Sequence, residues 1–313
     1  MKAVLGIDTS CYTTSAALAL DGTVVGAARR LIGVEMGGRG LQQSKIVFQH
    51  IANMDEIIKQ AVDNAVRTPI GAVCASVKPR PVAGSYMPVF TVGSGYGRAI
   101  ASALDVPFFE TTHQEGHIRA ALIGTEIDVS HEIIALHLSG GTTELLSVCR
   151  SKIECIGGTA DLNAGQLVDR VGVALGLPFP AGPHLESLAA NAIAQSLIPT
   201  SVDKRTCHFS GAEAQVMRMI ASGAYAPAAV AAEIFSLLAR TIAKLIANAL
   251  DADDARQVLI FGGVASSHLL KQLLADRLDR LGVLCRIHYA KPEYSGDNAA
   301  GAALIGDAAL RAD

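Results

Sequence analysis

The chain has 313 residues, a length that allows two hydrophobic cores and predicts two domains. Its composition is apolar for a soluble protein, with 50% hydrophobic residues, 18% charged residues and no Trp. The 26 basic residues are outnumbered by 29 acidic ones, which gives a net charge of −3. This balance excludes a strongly cationic surface that would hold nucleic acid unaided, so an RNA substrate would require a local patch or other subunits.

The sequence contains no segment typical of export or of a membrane span. A strand is predicted at once, at residues 2–7, without a basic leader before it. The most apolar long segment, residues 228–250, carries Glu233, Arg240 and Lys244 and therefore predicts an amphipathic helix. The six cysteines form no C-x-x-C pair, which favours reduced thiols. A cytoplasmic protein is predicted.

The predicted elements fall into two halves of similar order. The first half is predicted to contain a β-hairpin with strands at residues 4–19 and 23–27, then a helix, a strand and a helix rich in small residues, at residues 44–66, 71–76 and 93–104. The second half is predicted to contain a hairpin, the amphipathic helix and a strand, at residues 133–149, 228–250 and 257–261. This alternation predicts an α/β fold.

His113 and His117 lie four residues apart in what is predicted to be the first turn of a helix. At this spacing both imidazoles leave one helical face, where they can share a transition metal ion. The zinc-protease pattern H-E-x-x-H is absent, because Gln114 follows the first histidine. Glu115 has a structural interpretation, since Thr112 and Glu115 have the spacing of a capping box. A metal site and an ordinary capped helix both remain open at this point.

Glycine-rich turns follow two of the apolar strands. Backbone N–H groups in such turns can approach a phosphate closely. The two turns are Ser139-Gly-Gly-Thr-Thr143 and Gly262-Gly263-Val264. A third run, Gly93-Ser-Gly-Tyr-Gly97, has Arg98 where a dinucleotide fingerprint requires glycine, so we predict close helix packing there. Either Gly-Gly pair alone is an ordinary turn, but two in matching contexts favour a nucleotide cleft between two lobes.

These motifs, in their order and spacing, resemble the TsaD family. Its members are the threonylcarbamoyl transferases of tRNA N6-threonylcarbamoyladenosine synthesis, formerly described as O-sialoglycoprotein endopeptidases of the glycoprotease family. The resemblance runs nearly end to end. Besides the histidine pair and the two glycine turns, the matching motifs are Gly6-Ile-Asp-Thr-Ser-Cys11, Ala164-Gly-Gln-Leu-Val-Asp169, Leu175-Gly-Leu177, Pro180-Ala-Gly-Pro183, Phe209-Ser-Gly211 and Ser295-Gly-Asp-Asn298.

The resemblance implies a two-lobed actin and sugar-kinase (ASKHA) fold with duplicated RNase H-like lobes. The first lobe would comprise residues 1–108, with 296–313 packing back on it, and the second residues 109–295. The implied activity is metal-dependent transfer of the threonylcarbamoyl group from threonylcarbamoyl-AMP to N6 of an adenosine in tRNA. The tRNA would be bound through a complex with a TsaB-like paralogue and a TsaE-like ATPase. The chain would form a homodimer or a heterodimer, and no membrane would be involved.

The resemblance also implies the residues of the site. His113, His117 and Asp297 would hold one Fe²⁺ or Zn²⁺ with open positions for substrate, although Asp297 can instead cap the helix predicted at 298–311. The adenine nucleotide or acyl-adenylate would contact residues of the second half: Leu138, Ser139, Gly140, Gly141, Thr142, Asp169, Gly182, Gly262, Gly263 and Ser267. A Lewis acid would make the mixed anhydride a better electrophile. No catalytic base is assigned.

Five residues in these motifs depart from the family pattern, one of them Gln166 in place of a glutamate. Tyr12 and Thr13 stand where the family carries acidic residues, Thr142 replaces a histidine and Ser267 replaces an asparagine. These replacements support an alternative in which the chain is a diverged paralogue that binds metal and nucleotide but acts on another substrate or has a regulatory role. A sugar or acetate kinase of the same fold is a more distant alternative, and a peptidase is more distant still because the sequence shows neither a catalytic triad nor H-E-x-x-H.

Overall fold

The protein is described by a computed structural model that covers residues 2–10, 12–33, 42–66, 68–252, 256–296 and 298–312. Contacts between Cα atoms divide the chain into two units, Met1–Gly124 with Gly296–Asp313, and Thr125–Ser295. Each unit is built on its own β-sheet.

The strands and helices follow the chain in this order. The strands are β1 Ala3–Ser10, β2 Thr13–Leu20, β3 Thr23–Leu31, β4 Ile70–Lys78, β5 Phe108–Thr112, β6 Ile133–Leu138, β7 Thr143–Cys149, β8 Lys152–Thr159, β9 Ser201–Asp203, β10 Thr206–His208, β11 Gln257–Phe261 and β12 Arg286–Tyr289. The helices are α1 Gln43–Asn64, α2 Phe90–Leu104, α3 His113–Ala121, α4 Ala164–Ala174, α5 Gly182–Ala189, α6 Ser210–Ser222, α7 Pro227–Ala252, α8 His268–Leu281, α9 Pro292–Ser295 and α10 Ala300–Ala312. A short 3₁₀ turn covers Val264–Ser266.

The two sheets share one strand order. The first sheet runs β3-β2-β1-β4-β5, and five strands of the second run β8-β7-β6-β11-β12. In both, the first three strands form an antiparallel meander and the remaining two lie parallel to the first. The second sheet continues beyond β8 through β10 and β9. The duplicated α/β architecture expected from the sequence is therefore present.

The hairpin predicted at residues 4–27 is a three-stranded meander instead. The segment predicted as one strand, residues 4–19, turns back between Ser10 and Thr13, which face each other across β1 and β2. The prediction was wrong because this turn carries no glycine or proline in the sequence. Side chains on both sides of it are polar and yet buried, as in Asp8, Thr9 and Thr14, so hydrophobic alternation did not mark the strand ends either.

The division predicted from the sequence differs from the contact-based units at one boundary. The predicted boundary followed residue 108, whereas the first unit extends to Gly124. The difference arises because β5 pairs with β4 and because α3 packs against α10. The helix that carries both histidines consequently belongs with the first unit.

Glycines allow α10 to lie directly on the first sheet and on α3. A Cβ atom added to Gly6 of β1 would lie 2.3 Å from the backbone nitrogen of Ala303. A Cβ atom added to Gly301 would lie 1.8 Å from the carbonyl oxygen of Gly116 in α3. Neither position can carry a larger side chain without moving backbone, so the first contact fixes α10 against β1 and the second fixes α10 against α3.

Close packing also explains two of the three glycines in α2. A Cβ atom at Gly93 would lie 2.8 Å from Thr9 Oγ1, and one at Gly97 would lie 2.8 Å from the Phe108 ring. The prediction of helix packing for this run is confirmed.

The core of the second unit is centred on α7. Large side chains on this helix are fully or almost fully buried, among them Phe235, Leu238 and Ile242, and burial of each contributes about 1.5–3 kcal/mol. The amphipathic helix expected at residues 228–250 is confirmed. Within the described residues, no helix is both long and apolar enough to cross a membrane.

Candidate functional site

The helix that carries the histidine pair starts with a complete capping box. Thr112 Oγ1 accepts a hydrogen bond from the Glu115 backbone nitrogen at 3.2 Å, and Glu115 Oε2 accepts one from the Thr112 backbone nitrogen at 2.8 Å. The predicted capping role of Glu115 is confirmed. The box fixes the first turn of α3, so His113 and His117 leave the helix in a defined direction.

The two imidazoles meet through their Nε2 atoms, which lie 3.0 Å apart. His117 is buried, with 5% of its surface exposed, and the His113 side chain is 21% exposed. Two imidazole nitrogens bound to one tetrahedral ion at about 2.0–2.1 Å lie roughly 3.3–3.4 Å apart. A small opening of the pair would therefore admit a metal ion.

Asp8 orients the first histidine, a role that the sequence did not indicate. Its Oδ2 atom lies 2.9 Å from His113 Nδ1, and the carboxylate is buried at the end of β1. A carboxylate can only accept, so Nδ1 carries the proton and the lone pair of His113 Nε2 faces His117. A histidine held by a carboxylate through its second nitrogen is a recurring feature of metal sites.

The third proposed ligand, Asp297, lies outside the described residues. Within the part of the chain that the structure describes, no group of three His, Cys, Asp or Glu side chains is arranged to hold a metal. The neighbouring Asn298 accepts a hydrogen bond from the Ala300 backbone nitrogen at 3.0 Å through its Oδ1 atom, just before α10 begins. The assignment of Asp297 as ligand or as helix cap remains a prediction.

The two Gly-Gly turns lie side by side in the second unit. Parallel strands β6 and β11 pair through His137 and Phe261, so the residues that follow them meet at one edge of the sheet. Gly262 has a φ of +103°, and a Cβ atom there would lie 2.2 Å from the Leu138 carbonyl oxygen. Ser295 Oγ accepts from the Gly262 nitrogen at 2.9 Å and donates to its carbonyl oxygen at 3.0 Å. The sequence indicated both turns but not their contact.

The first turn is closed by its own hydrogen bonds. The Ser139 nitrogen donates to the Thr142 carbonyl oxygen at 2.8 Å, and the Thr142 nitrogen donates to Ser139 Oγ at 3.0 Å. Cβ atoms added to Gly140, Gly141 or Gly263 would meet no atom within 4 Å. These three glycines consequently present open backbone, which is what close approach of a ligand requires.

Helix α4 begins against this turn and carries Asp169. The Gly165 nitrogen donates to the Ser139 carbonyl oxygen at 3.1 Å. One turn later, Asp169 Oδ1 accepts from the Ala181 nitrogen at 2.8 Å, directly before Gly182 opens α5. Burial raises the pKa of Asp169, and the Ala181 hydrogen bond opposes the shift. Asp169 and Gly182, predicted to contact the same part of a nucleotide, are thus neighbours.

Ser267 has a structural partner in α8. Its hydroxyl accepts a hydrogen bond from the Leu270 backbone nitrogen at 3.1 Å and so caps the helix. The role proposed for it in nucleotide binding remains a prediction.

A second carboxylate that the sequence did not single out, Asp161, holds the Phe209-Ser-Gly211 motif. It accepts from the Phe209 nitrogen at 2.8 Å and from the Ser210 nitrogen at 3.1 Å. Partial burial acts to raise the pKa of Asp161, but these hydrogen bonds, with others from the Ser210 hydroxyl and the Leu162 nitrogen, hold it well below its usual value. The motif therefore owes its position to an ionised side chain 48 residues earlier in the chain.

Solved structures that are similar to this chain show the class of fold. HypF from T. kodakarensis matches the whole chain with a TM-score of 0.68 at 15% identity, and the match covers 48% of HypF. The ROK hexokinase from Thermus thermophilus matches 99% of this chain and all of its own, with a TM-score of 0.55 at 16% identity. The chain has the α/β fold of the actin and sugar-kinase class, as the sequence predicted.

The sequence comparisons identify the family within that class. The model of the TsaD family, described as tRNA N6-adenosine threonylcarbamoyltransferase, matches residues 44–304. The tRNA N6-adenosine threonylcarbamoyltransferase of Thermus thermophilus is 30% identical over 96% of this chain and 91% of its own length. That of Caulobacter vibrioides is 30% identical over 97% of this chain and 86% of its own length. The chain belongs to the TsaD family.

Proposed function

We propose that this protein transfers a threonylcarbamoyl group from threonylcarbamoyl-AMP to N6 of an adenosine in tRNA. The observation that carries the proposal is the imidazole pair of His113 and His117, whose Nε2 atoms lie 3.0 Å apart and whose first member is oriented by Asp8. Membership of the TsaD family supports the choice of reaction. Asp297, close to the start of α10, would complete the ligand set.

The residues present suit a divalent transition metal. Imidazole and carboxylate ligands in this number fit Fe²⁺ or Zn²⁺ and leave coordination positions for a substrate. When bound, the metal would neutralise charge on the mixed anhydride and make its carbonyl carbon more electrophilic. Asp8 would keep the proton on Nδ1 of His113, so that Nε2 remains available as a ligand.

The second unit would bind the adenylate portion of the donor. Open backbone at Gly140, Gly141 and Gly263 supports this role, because N–H groups there can approach phosphate or base without a side chain in between. Asp169, whose carboxylate sits beside the start of α5, would contact the ribose region. Leu138 is buried at the end of β6 and would support the turn that follows it.

Binding of tRNA would depend on partners. The net charge of −3 supports a shared binding surface rather than binding by this chain alone. We propose a TsaB-like paralogue and a TsaE-like ATPase as those partners, in the cytoplasm.

A diverged paralogue is the second candidate function, and the turn between β1 and β2 favours it. Tyr12 is 45% exposed there and Thr13 is 2% exposed. Neither side chain is acidic, so the carboxylate that the family pattern has at this turn is missing. Thr142 likewise supplies no imidazole in the glycine turn. Such a protein would bind metal and nucleotide but act on another substrate or regulate a partner.

The proposal is tested by combining metal analysis with the transfer reaction. Purified wild type is expected to contain about one Fe or Zn per chain. When it is mixed with its partners, threonylcarbamoyl-AMP and unmodified tRNA, it is expected to form threonylcarbamoyladenosine, which mass spectrometry of digested tRNA detects. His113→Ala/His117→Ala is expected to lose both the metal and the product. The control is His131→Ala, since the His131 side chain is 84% exposed in a loop of the second unit. Equal metal content in the double variant and wild type would rule out the site.

A further inference from the structure

A cavity between α7 and α8 lies apart from every residue assigned above. Its volume is about 130 Å³, and it is contained entirely in the second unit. Its polar lining consists of Ser196, Ser236, Arg240, Asp276, Arg277 and Arg280. Within the described residues, three arginines, which are always positively charged, and one carboxylate, that of Asp276, thus line a space the size of a small polar group.

The hydrogen-bonding capacity of these arginines is largely unused. Arg240 donates from Nη2 to the Ile198 carbonyl oxygen at 2.8 Å and from Nε to Ser236 Oγ at 3.4 Å. The Nε atom of Arg277 is buried and has no hydrogen-bond partner in the described residues. Neither Arg277 nor Arg280 forms an ion pair with an acidic side chain there.

The buried carboxylate that acts on Arg240 already accepts hydrogen bonds from the backbone. Glu233, on the same helix as Arg240, is 2% exposed and accepts hydrogen bonds from the Gln195 and Leu197 backbone nitrogens. Burial lowers the pKa of Arg240, with Glu233 opposing that change and the charge of Arg277 adding to it. Among the described residues, the three arginines still carry one positive charge more than the two carboxylates, Glu233 and Asp276, and Arg240 and Arg277 are partly buried. Such an arrangement costs free energy without an anion.

We propose that this cavity is a binding site for a phosphate group. Guanidinium groups bind phosphate oxygens through paired N–H donors, and Arg277 and Arg280 lie one turn apart on the same face of α8. Pockets for drug-sized ligands measure about 300–1,000 Å³, so 130 Å³ suits a compact group rather than a whole nucleotide. The phosphate can come from inorganic phosphate in solution or from the backbone of a nucleic acid whose chain passes over the exposed Arg280.

The site is tested first with inorganic phosphate, by calorimetry at constant ionic strength with chloride as the reference anion. Arg277→Gln/Arg280→Gln is expected to bind phosphate at least about tenfold more weakly than wild type, because it loses two guanidinium groups that donate charged hydrogen bonds to the anion. Arg218→Gln, which alters an exposed arginine of α6, is the matched control and should leave affinity unchanged.

Asp276→Asn provides a test that loss of folding cannot imitate. Removal of the negative charge of Asp276, the acidic residue that lines the cavity in the described part of the chain, is expected to tighten phosphate binding, the opposite of what the arginine variants do. Unchanged affinity in Asp276→Asn together with unchanged affinity in the arginine variants would overturn the proposal.

The source of the phosphate is distinguished with unmodified tRNA as the probe, titrated at several salt concentrations into wild type and the arginine variant, each in complex with the proposed partner proteins. If the site takes a backbone phosphate, the double variant should bind tRNA more weakly and with a smaller salt dependence. If tRNA binding is unchanged while inorganic phosphate binding is lost, the site takes the free anion. If neither probe distinguishes the variant from wild type, the site does not exist.

Discussion

Adjacent glycines in the second Gly-Gly turn differ in whether the fold requires them. Gly262 has a φ of +103° and approaches the Leu138 carbonyl oxygen so closely that any side chain would collide with backbone. Gly263 has a φ of −59°, which all residues adopt readily, and a Cβ atom there would meet nothing within 4 Å. The fold alone therefore requires Gly262, whereas the fold leaves Gly263 free to be replaced.

Gly263→Val is accordingly expected to fold normally and to bind AMP or ATP roughly 5- to 150-fold more weakly, since overpacking a filled site costs about 1–3 kcal/mol. Calorimetry measures the affinity, and circular dichroism with thermal unfolding measures the fold.

Two further variants serve as controls for this experiment. Gly95→Val changes a glycine of α2 that also has open space around it and should leave nucleotide binding intact. Gly262→Val should destabilise the protein itself. If a folded Gly263→Val variant binds nucleotide as tightly as wild type, the nucleotide does not use this turn.

At the scale of elements, α1 is attached to the β1–β2 turn through one buried imidazole. His50 is fully buried; its Nε2 lies 2.8 Å from the Ser10 carbonyl oxygen, and its Nδ1 lies 2.8 Å from Thr14 Oγ1. The carbonyl oxygen can only accept, so Nε2 donates and Nδ1 accepts from the hydroxyl. Burial lowers the pKa of His50, against smaller opposing effects of the Ser10 hydrogen bond and the Asp8 charge.

The lowered pKa predicts a specific dependence of stability on pH. Above the ordinary value of 6.5 both folded and unfolded states have a neutral His50, and its contribution to stability is complete. As the pH falls below 6.5 towards the folded-state pKa, the unfolded chain takes up the proton more readily and the free energy of unfolding decreases.

His50→Gln is expected to reduce this decrease, because glutamine can replace both hydrogen bonds but does not titrate. Chemical unfolding between pH 7.5 and 5 measures the effect as a pH dependence that is shallower than in wild type. His131→Gln, in an exposed loop, should keep the wild-type dependence. Parallel pH profiles for wild type and His50→Gln would contradict the assignment.

Elements with a strong local signal were predictable from the sequence, and those defined by tertiary contacts were not. The capping box of Thr112 and Glu115 is a local arrangement that residue spacing specifies, and the structure confirms it. The turn after Ser10 was missed because its polar residues are buried by partners elsewhere, such as His50, 40 residues away. Hydrophobic periodicity does not register such distant hydrogen bonds.

In the candidate site too, local features were predictable from the sequence and long-range contacts were not. Spacing alone suggested that His113 and His117 share one face, and the glycine pairs were evident after their strands. The sequence did not reveal Asp8 behind His113, because that contact joins residues 105 positions apart. It also did not reveal that Gly262 touches the first glycine turn, since this depends on the pairing of β6 with β11.

At the scale of the whole molecule, family membership and the altered β1–β2 turn lead to opposite expectations. The chain matches its relatives over nearly their full length, which favours the family reaction. The turn offers Tyr12 and Thr13 where the resemblance to the family implies acidic residues. Tyr12 is 45% exposed, so a carboxylate fits there easily, whereas Thr13 is buried and a glutamate at that position would need to reach solvent.

Complementation decides between these expectations. In cells depleted of their own TsaD enzyme, this chain with its cognate partners is expected to restore growth and threonylcarbamoyladenosine in tRNA, at a rate below that of an orthodox member. Tyr12→Asp is expected to raise the rate if the missing carboxylate positions substrate, and His113→Ala/His117→Ala should abolish rescue. Failure of both wild type and Tyr12→Asp, with no product in digested tRNA although metal and nucleotide are bound, would exclude the transfer reaction and leave a diverged paralogue that uses the same fold for another substrate or for regulation.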